Sequence, residues 1–167
     1  MSPHPSVQDD SPIWPWEAHV PSPEENKELT RRFNEEVFNK RNLQYAEESL
    51  ADDFVEHSPL PGFGNDKAGA MDTLRAFLAA SDDLRFEEIQ MIAEGNRVAI
   101  HSRTSGTDTG GFMPGIPATN NRYSMEAMDV AVLGDDGRFT EHFGVYDVAS
   151  ALMQLGLMPG PGGSPSG

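Results

Sequence analysis

Residues 122–147 read RYSMEAMDVAVLGDDGRFTEHFGVYD and carry the clearest strand pattern in the chain. Apolar and polar residues alternate through its first half, as they do in a β-strand with one buried face. The tetrapeptide GDDG at 134–137 is a turn sequence, and a second β-rich run follows it at 138–147. The stretch therefore predicts a hairpin of two long antiparallel strands.

Two more β-rich runs precede this hairpin, at 85–93 and 97–106, with a turn sequence between them. Before residue 83 the apolar residues recur with the helical period instead. Ser22-Pro23-Glu24-Glu25 joins an N-cap serine to a first-turn proline and the glutamate of a capping box. In chain order we predict a helix from there to about 39, a helix at 43–50, a strand at 53–57 and a helix at 65–80. Early helices and late antiparallel strands indicate an α+β domain with helices over one face of the sheet.

Composition excludes several kinds of partner. The chain has 27 acidic and 12 basic residues, a net charge of −15, which repels nucleic acids and anionic membranes. It has no cysteine, so disulfides and thiolate catalysis are excluded. Neither a signal-peptide pattern nor a run of about 20 apolar residues is present. We therefore expect a cytoplasmic protein that binds neither nucleic acid nor membrane.

The two ends differ in composition from the middle. Residues 1–21 are rich in proline and predict a flexible arm. Trp14 and Trp16 within it are bulky apolar groups, expected either to pack on the domain or a neighbouring subunit, or to cover a ligand. Residues 159–167 are glycine, proline and serine and predict a disordered tail, which leaves a single domain at 22–158.

Six short motifs follow one another along the domain. They are FVEHSP at 54–59, AEGNRV at 93–98, GTDTGGF at 106–112, GIPAT at 115–119, DDGRFTEHF at 135–143 and QLGL at 154–157. The ordered set spans about residues 27 to 159, and over that length the chain resembles the SnoaL-like polyketide cyclases.

The resemblance implies a fold of the nuclear transport factor two-like type. Such a fold is a cone-shaped, curved antiparallel sheet with about three N-terminal helices that enclose a pocket, and it often forms homodimers. Family members cyclise polyketides by intramolecular aldol chemistry, while related folds hydrolyse epoxides, isomerise ketones or only bind ligands. The fold does not fix the reaction. A small hydrophobic molecule is the partner that the resemblance implies.

Asp129 is the main candidate for acid/base chemistry. Strand alternation places it on one face with Tyr123 and Met125, so the carboxylate has mostly apolar neighbours. Loss of water disfavours a charged carboxylate, which suits a group that takes and returns protons near neutral pH. The resemblance also implies an aspartate on this strand as the acid/base group. The alternative is a structural carboxylate, paired with Arg103 or with a backbone donor.

His101 and His57 are the candidate donors to a substrate carbonyl oxygen, where they would stabilise an enolate. The alternative for each is a structural histidine with its hydrogen bonds satisfied. His142 and Tyr146 share one face of the last strand. The side chains expected to contact substrate are Arg103, Tyr123, Met125, His142, Tyr146 and Phe112.

Motifs for other chemistries are missing from the sequence. There is no pair of histidines at helical i, i+4 spacing, no P-loop or dinucleotide fingerprint, and no nucleophile elbow. We therefore expect neither a metal nor a cofactor. The leading hypothesis is an enzyme that cyclises a hydrophobic, polyketide-like carbonyl compound by an aldol-type reaction. One alternative is an epoxide hydrolase or an isomerase, in which Asp129 activates water and Arg103 orients it. The other is a binding protein without turnover.

Overall fold

A computed structural model describes residues 20–113 and 115–160 of the chain. The predicted arm, with Trp14 and Trp16, and the predicted tail lie almost entirely outside these residues. The elements, in chain order, are α1 (Pro23–Asn34), a π-helical turn (Glu35–Asn39), α2 (Leu43–Ser49), β1 (Leu50–Glu56), α3 (Lys67–Ala79), β2 (Arg85–Glu94), β3 (Arg97–Thr107), β4 (Arg122–Leu133), β5 (Phe139–Tyr146) and α4 (Val148–Leu155).

The first helix begins as its sequence predicts. Ser22 Oγ accepts from the Glu25 amide at 3.3 Å, and the Glu25 carboxylate accepts from the Ser22 amide at 2.8 Å. The predicted end is less regular, because the last five residues form a π-helical turn. Asn39 at the end of that turn pairs with both backbone groups of Phe86, accepting from its N–H at 2.9 Å and donating to its C=O at 3.3 Å. These bonds fix the helix to the start of β2.

The five strands form one sheet in the order β1-β5-β4-β3-β2. The pairs from β2 to β5 are antiparallel, as the hairpin turns predict, whereas β1 runs parallel to β5. The sheet is therefore mixed rather than wholly antiparallel. A tight turn imposes antiparallel pairing only on consecutive strands, and three strands and a helix lie between β1 and β5.

The helices and the inner face of the sheet enclose the apolar core, which confirms the α+β fold class. Val37, Val98 and Leu133 are among its fully buried side chains. The last helix, α4, was not predicted; Asp147 caps it by accepting from the Ser150 amide at 3.1 Å, and it packs on β4. In the part of the chain described here, no helix has the length and apolar character needed to span a bilayer.

Candidate active site

A cavity of about 160 Å³ lies between the inner face of the sheet and the helices. Its walls are largely apolar and include Phe33, Phe38, Phe54, Phe77, Ile100 and Met125. An apolar cavity of about 150 Å³ in another protein takes up benzene, so the space here suits a ring-sized group. The polar side chains are fewer, and the ionisable ones among them lie on β1, β4 and β5.

Strand register brings three ionisable side chains of the cavity wall together. In the parallel pair, Glu56 of β1 lies opposite His142 of β5. In the antiparallel pair, Asp129 of β4 lies opposite Gly144, the next inward-facing position of β5 after His142. Asp129 is thus diagonal to His142, within reach of a long side chain. We call Glu56, His142 and Asp129 the inner cluster.

Both imidazole nitrogens of His142 face a carboxylate in this cluster. Nδ1 lies 2.7 Å from Glu56 Oε2, a hydrogen bond, and Nε2 lies 3.4 Å from Asp129 Oδ1, a longer ion-pair contact. Glu56 is held in turn by the Ser58 amide, which donates to its Oε1 at 2.8 Å. The exposed fraction of the side chain is 14% for Glu56 and 13% for Asp129. The carboxylates are therefore largely shielded from water, with a histidine between them.

The cluster keeps His142 positively charged. Burial by itself lowers the pKa of this imidazole, but the hydrogen bonds and charges of Asp129 and Glu56 outweigh burial and raise the pKa from 6.5 to about 9. Tyr146, next along the inner face, stays a neutral phenol, because burial and the same two negative charges raise its pKa above the ordinary value. The site thus combines an imidazolium, two carboxylates and an uncharged hydroxyl donor.

Gly144 makes room for the Tyr146 side chain. A Cβ atom at position 144 would lie 2.5 Å from Tyr146 Oη and 2.7 Å from Cζ, closer than side chains approach one another. The phenol therefore lies over Gly144, which is the residue that pairs with Asp129 on the neighbouring strand. Any larger residue at 144 would displace the tyrosine.

The structure places His101 and Arg103 on the opposite face of the sheet from the cavity. His101 Nε2 lies 2.9 Å from Glu126 Oε2, and Arg103 donates to Glu126 Oε1 at 2.9 Å and to Glu87 at 3.3 Å. We call these four residues the outer cluster. The cavity wall of β3 is formed by the alternate residues Ile100, Ser102 and Thr104. Alternation fixes which residues share a face of β3 but not which face is inward.

The other expected residues are divided between the cavity and its surroundings. Met125, His142 and Tyr146 line the cavity beside Asp129, as the alternation of β4 and β5 predicts. His57 lies outside it, bonded to Glu141 at 2.8 Å and stacked on Phe143 with ring centroids 4.1 Å apart. Tyr123 and Phe112 are absent from the lining and pack against each other in a separate apolar cluster, with centroids 4.9 Å apart.

Glu56 was missed, although the sequence holds a signal for it. Phe54 and Glu56 are two residues apart in a strand, so they share a face, and a buried phenylalanine implies an inward carboxylate. Asn34 of α1 and Ser102 of β3 were also missed. As for a metal, the described residues contain no group of three or more histidine and carboxylate side chains arranged to hold one.

Comparisons with known proteins agree with this architecture. The family profile of the SnoaL-like polyketide cyclases matches residues 28–155. IdmH of Streptomyces antibioticus, assigned provisionally as a polyketide cyclase, has 27% sequence identity and a TM-score of 0.67, over 78% of this chain and 98% of that one. AclR of Streptomyces galilaeus, assigned provisionally as a hydroxylase, has 26% identity and a TM-score of 0.74, over 84% of this chain and 86% of that one.

A third solved structure shares the fold alone. It is an epoxide hydrolase from M. tuberculosis, described as similar to the LEH enzyme, with 18% identity and a TM-score of 0.59, over 81% of this chain and 92% of that one. No curated protein sequence matches the chain. Since the family profile covers most of the chain, and the inner cluster lies within the matched residues, the chain belongs to the SnoaL-like polyketide cyclase family.

Proposed function

We propose that the protein is an enzyme that removes a proton next to the carbonyl of a hydrophobic substrate and directs the resulting enolate into an intramolecular aldol reaction. The observation that carries the proposal is the placement of Asp129 in the wall of an apolar cavity, in contact with a charged histidine. A base in such a cavity can remove a proton from a C–H bond of a bound substrate in a site that excludes water.

Asp129 is the proposed base. The imidazolium of His142 lies 3.4 Å from Asp129 Oδ1 and holds the side chain in the cavity wall, where it can meet a substrate C–H bond. Glu56 orients the imidazole from the other side and balances its charge. His142 and Glu56 thus act on the base rather than on the substrate, because both ring nitrogens of His142 face carboxylates.

Tyr146 is the proposed donor to the substrate oxygen. Its phenol stays protonated in the site and lines the same cavity as Asp129. A preorganised donor at the developing enolate oxygen lowers the barrier of the step in which charge appears there. We therefore assign to Tyr146 the role that was expected of His101 and His57, which lie outside the cavity.

The proposed reaction is an isomerisation and balances without any other reactant. A C–H bond next to the first carbonyl breaks, and its proton passes to Asp129. The enolate carbon then forms a bond to a second carbonyl carbon of the same molecule. The oxygen of that second carbonyl takes the proton back from Asp129, which restores the carboxylate.

Exchange of carbon-bound protons tests the first step without the natural substrate. Acetophenone is a single-ring ketone of suitable size, and NMR in D₂O follows the loss of its methyl protons. We expect catalysed exchange by the native protein and a loss of at least about 100-fold in Asp129→Asn, as for removal of a general base. Glu126→Gln is the matched control, because Glu126 is on the same strand but faces outward. Exchange that survives in Asp129→Asn, or an absence of catalysed exchange in the native protein, would overturn the proposal.

The same preparation separates the alternative functions. A binding protein would take up acetophenone and leave its methyl protons in place. A hydrolase would open styrene oxide in ¹⁸O-water and carry the label into the diol. The expected result for the proposed enzyme is exchange of ketone protons with no labelled diol.

We also expect the protein to form a homodimer through the outer face of the sheet. Met128 and Val145 lie opposite each other in the β4–β5 ladder and point away from the cavity, with 56% and 73% of their surfaces exposed. Adjacent exposed apolar side chains of this kind favour a self-complementary contact with a second copy. Light scattering should give twice the monomer mass, and Val145→Lys should shift it to the monomer mass.

A further inference from the structure

Besides Oδ1 of Asp129, which has only the 3.4 Å ion-pair contact with His142, two polar atoms in the cavity wall have no hydrogen-bond partner among the described residues. They are Nδ2 of Asn34, on the helical side, and Oγ of Ser102, on the sheet side. Both side chains are more than nine-tenths buried, with exposed fractions of 8% and 1%. The two hydroxyls that helices contribute to the same wall are satisfied within those helices: Thr30 donates to Asn26 C=O at 2.8 Å, and Thr73 donates to Gly69 C=O at 2.9 Å.

Buried groups without a protein partner cost free energy unless water or a ligand pairs with them. Buried donors and acceptors in folded proteins are nearly always paired, and an apolar residue of similar shape avoids the desolvation cost. Leucine has the shape of Asn34, and alanine would replace Ser102 with the loss of a single atom. The retention of two polar groups here indicates that something enters the cavity and pairs with them.

The strand register sets the distance from Ser102 to the proposed base, and Asn34 lies on α1, which packs on β3. Ser102 lies opposite Ala127 in the β3–β4 ladder, and Asp129 is two residues further along β4 on the same face. Such diagonal neighbours are about 7–8 Å apart. That spacing corresponds to opposite ends of one aromatic ring, so a ligand of that size can reach both Asp129 and Ser102.

We propose that Asn34 and Ser102 form a second polar subsite, which binds a substrate hydroxyl or carbonyl oxygen on the side of the ring away from the reacting carbonyl. The amide of Asn34 donates to that oxygen, and the hydroxyl of Ser102 accepts from it or donates to it. The substrate class is therefore a ring ketone with a second oxygen across the ring. This inference rests on the proposed function in one respect only, which is the choice of the end of the ligand that faces Asp129.

A parent ketone and two isomeric hydroxy derivatives of it test the subsite by binding alone. Acetophenone has only the carbonyl, and 4-hydroxyacetophenone adds a hydroxyl on the ring carbon opposite the acetyl group. In 2-hydroxyacetophenone the hydroxyl is on the ring carbon next to the acetyl group. Ligand-detected NMR titration gives the three dissociation constants. We expect the native protein to bind 4-hydroxyacetophenone about three- to tenfold more tightly than acetophenone, the gain from one or two new hydrogen bonds, and to show no such preference for the 2-isomer.

Substitutions then assign the preference to the two residues. Asn34→Leu and Ser102→Ala should each reduce the preference for 4-hydroxyacetophenone, and the double variant should abolish it while acetophenone binds as before. Thr73→Val is the matched control, since that hydroxyl lines the cavity but already donates to its own helix. The thermal midpoints of Asn34→Leu and Ser102→Ala should equal or exceed that of the native protein, because each variant removes an unpartnered buried group.

The outcomes that overturn the subsite are separate from those that overturn the proposed function. Equal affinities of the native protein for acetophenone and its 4-hydroxy derivative would overturn the subsite, as would a preference that persists in the double variant. Lower thermal midpoints in both single variants would show that the two groups serve the fold instead. Proton exchange does not enter any of these measurements, so the subsite and the role of Asp129 can fail independently.

Discussion

The inner and outer clusters join histidine to glutamate at nearly the same distance: 2.7 Å between His142 Nδ1 and Glu56 Oε2, and 2.9 Å between His101 Nε2 and Glu126 Oε2. Their surroundings differ. Glu126 has 49% of its side chain exposed, against 14% for Glu56. Water screens the outer pair and can replace either partner, whereas the inner pair is held among apolar walls. A histidine–glutamate contact alone does not make a site; removal from water does.

The largest expected difference between the clusters is the effect of removing each histidine on stability. His142→Gln takes away the charge that balances two shielded carboxylates, so we expect a loss of about 3 kcal/mol in the free energy of unfolding. His101→Gln is the matched control and should leave the urea midpoint nearly unchanged. Equal losses in the two variants would contradict the comparison.

The stability that His142 contributes should depend on pH in a defined window. Its pKa is raised in the folded protein from 6.5 to about 9, so folding favours the protonated form. The contribution, about 3 kcal/mol, is therefore fully present below about pH 6.5 and is lost as the pH rises through about 9. Urea unfolding across this range should show native protein and His142→Gln converging at alkaline pH. A difference that is constant with pH would contradict the assigned charge.

A smaller effect is expected from filling the space above Gly144. Gly144→Ala forces the Tyr146 ring aside and should destabilise the protein by about 1–2 kcal/mol, as overpacking does. It should also slow acetophenone proton exchange about as much as Tyr146→Phe does. Glu126→Gln, which faces outward on the neighbouring strand β4, is the control. An exchange rate unaffected by Gly144→Ala would remove Tyr146 from the proposed mechanism.

The smallest effect is expected at the outer carboxylate. Glu126→Gln breaks the contacts with His101 and Arg103, but all three side chains meet water. We expect the urea midpoint to stay within experimental error in low and in moderate salt. A clear loss that salt abolishes would show that the outer cluster is less screened than its exposure indicates.

Much of the fold could be predicted because its signals are local. The Ser22 capping box, the two hairpin turns and the alternation of β4 each specify structure within a few residues. Alternation also grouped Met125 and Asp129 correctly on one face. The parallel pairing of β1 with β5 could not be predicted in this way, because it joins segments that no turn connects.

The site was harder to predict than the fold for the same reason. Glu56 and His142 are 86 residues apart, and no local pattern indicates that they meet. On β3, alternation grouped His101 with Arg103 but did not choose the inward face. Val98 and Ile100 alternate with these two residues and are larger and apolar. They would have indicated that the face of β3 opposite His101 and Arg103 is the buried one.

The parallel contact between β1 and β5 also has a consequence for the order of folding. Because the first and last strands lie side by side, a chain that emerges from the ribosome can build α1 through β4 before the partner of β1 exists. Until β5 arrives, β1 has no strand to pair with, and neither Glu56 nor Asp129 has His142 beside it. The reactive chamber is therefore completed only in the closing step of assembly, and no partly synthesised chain carries it.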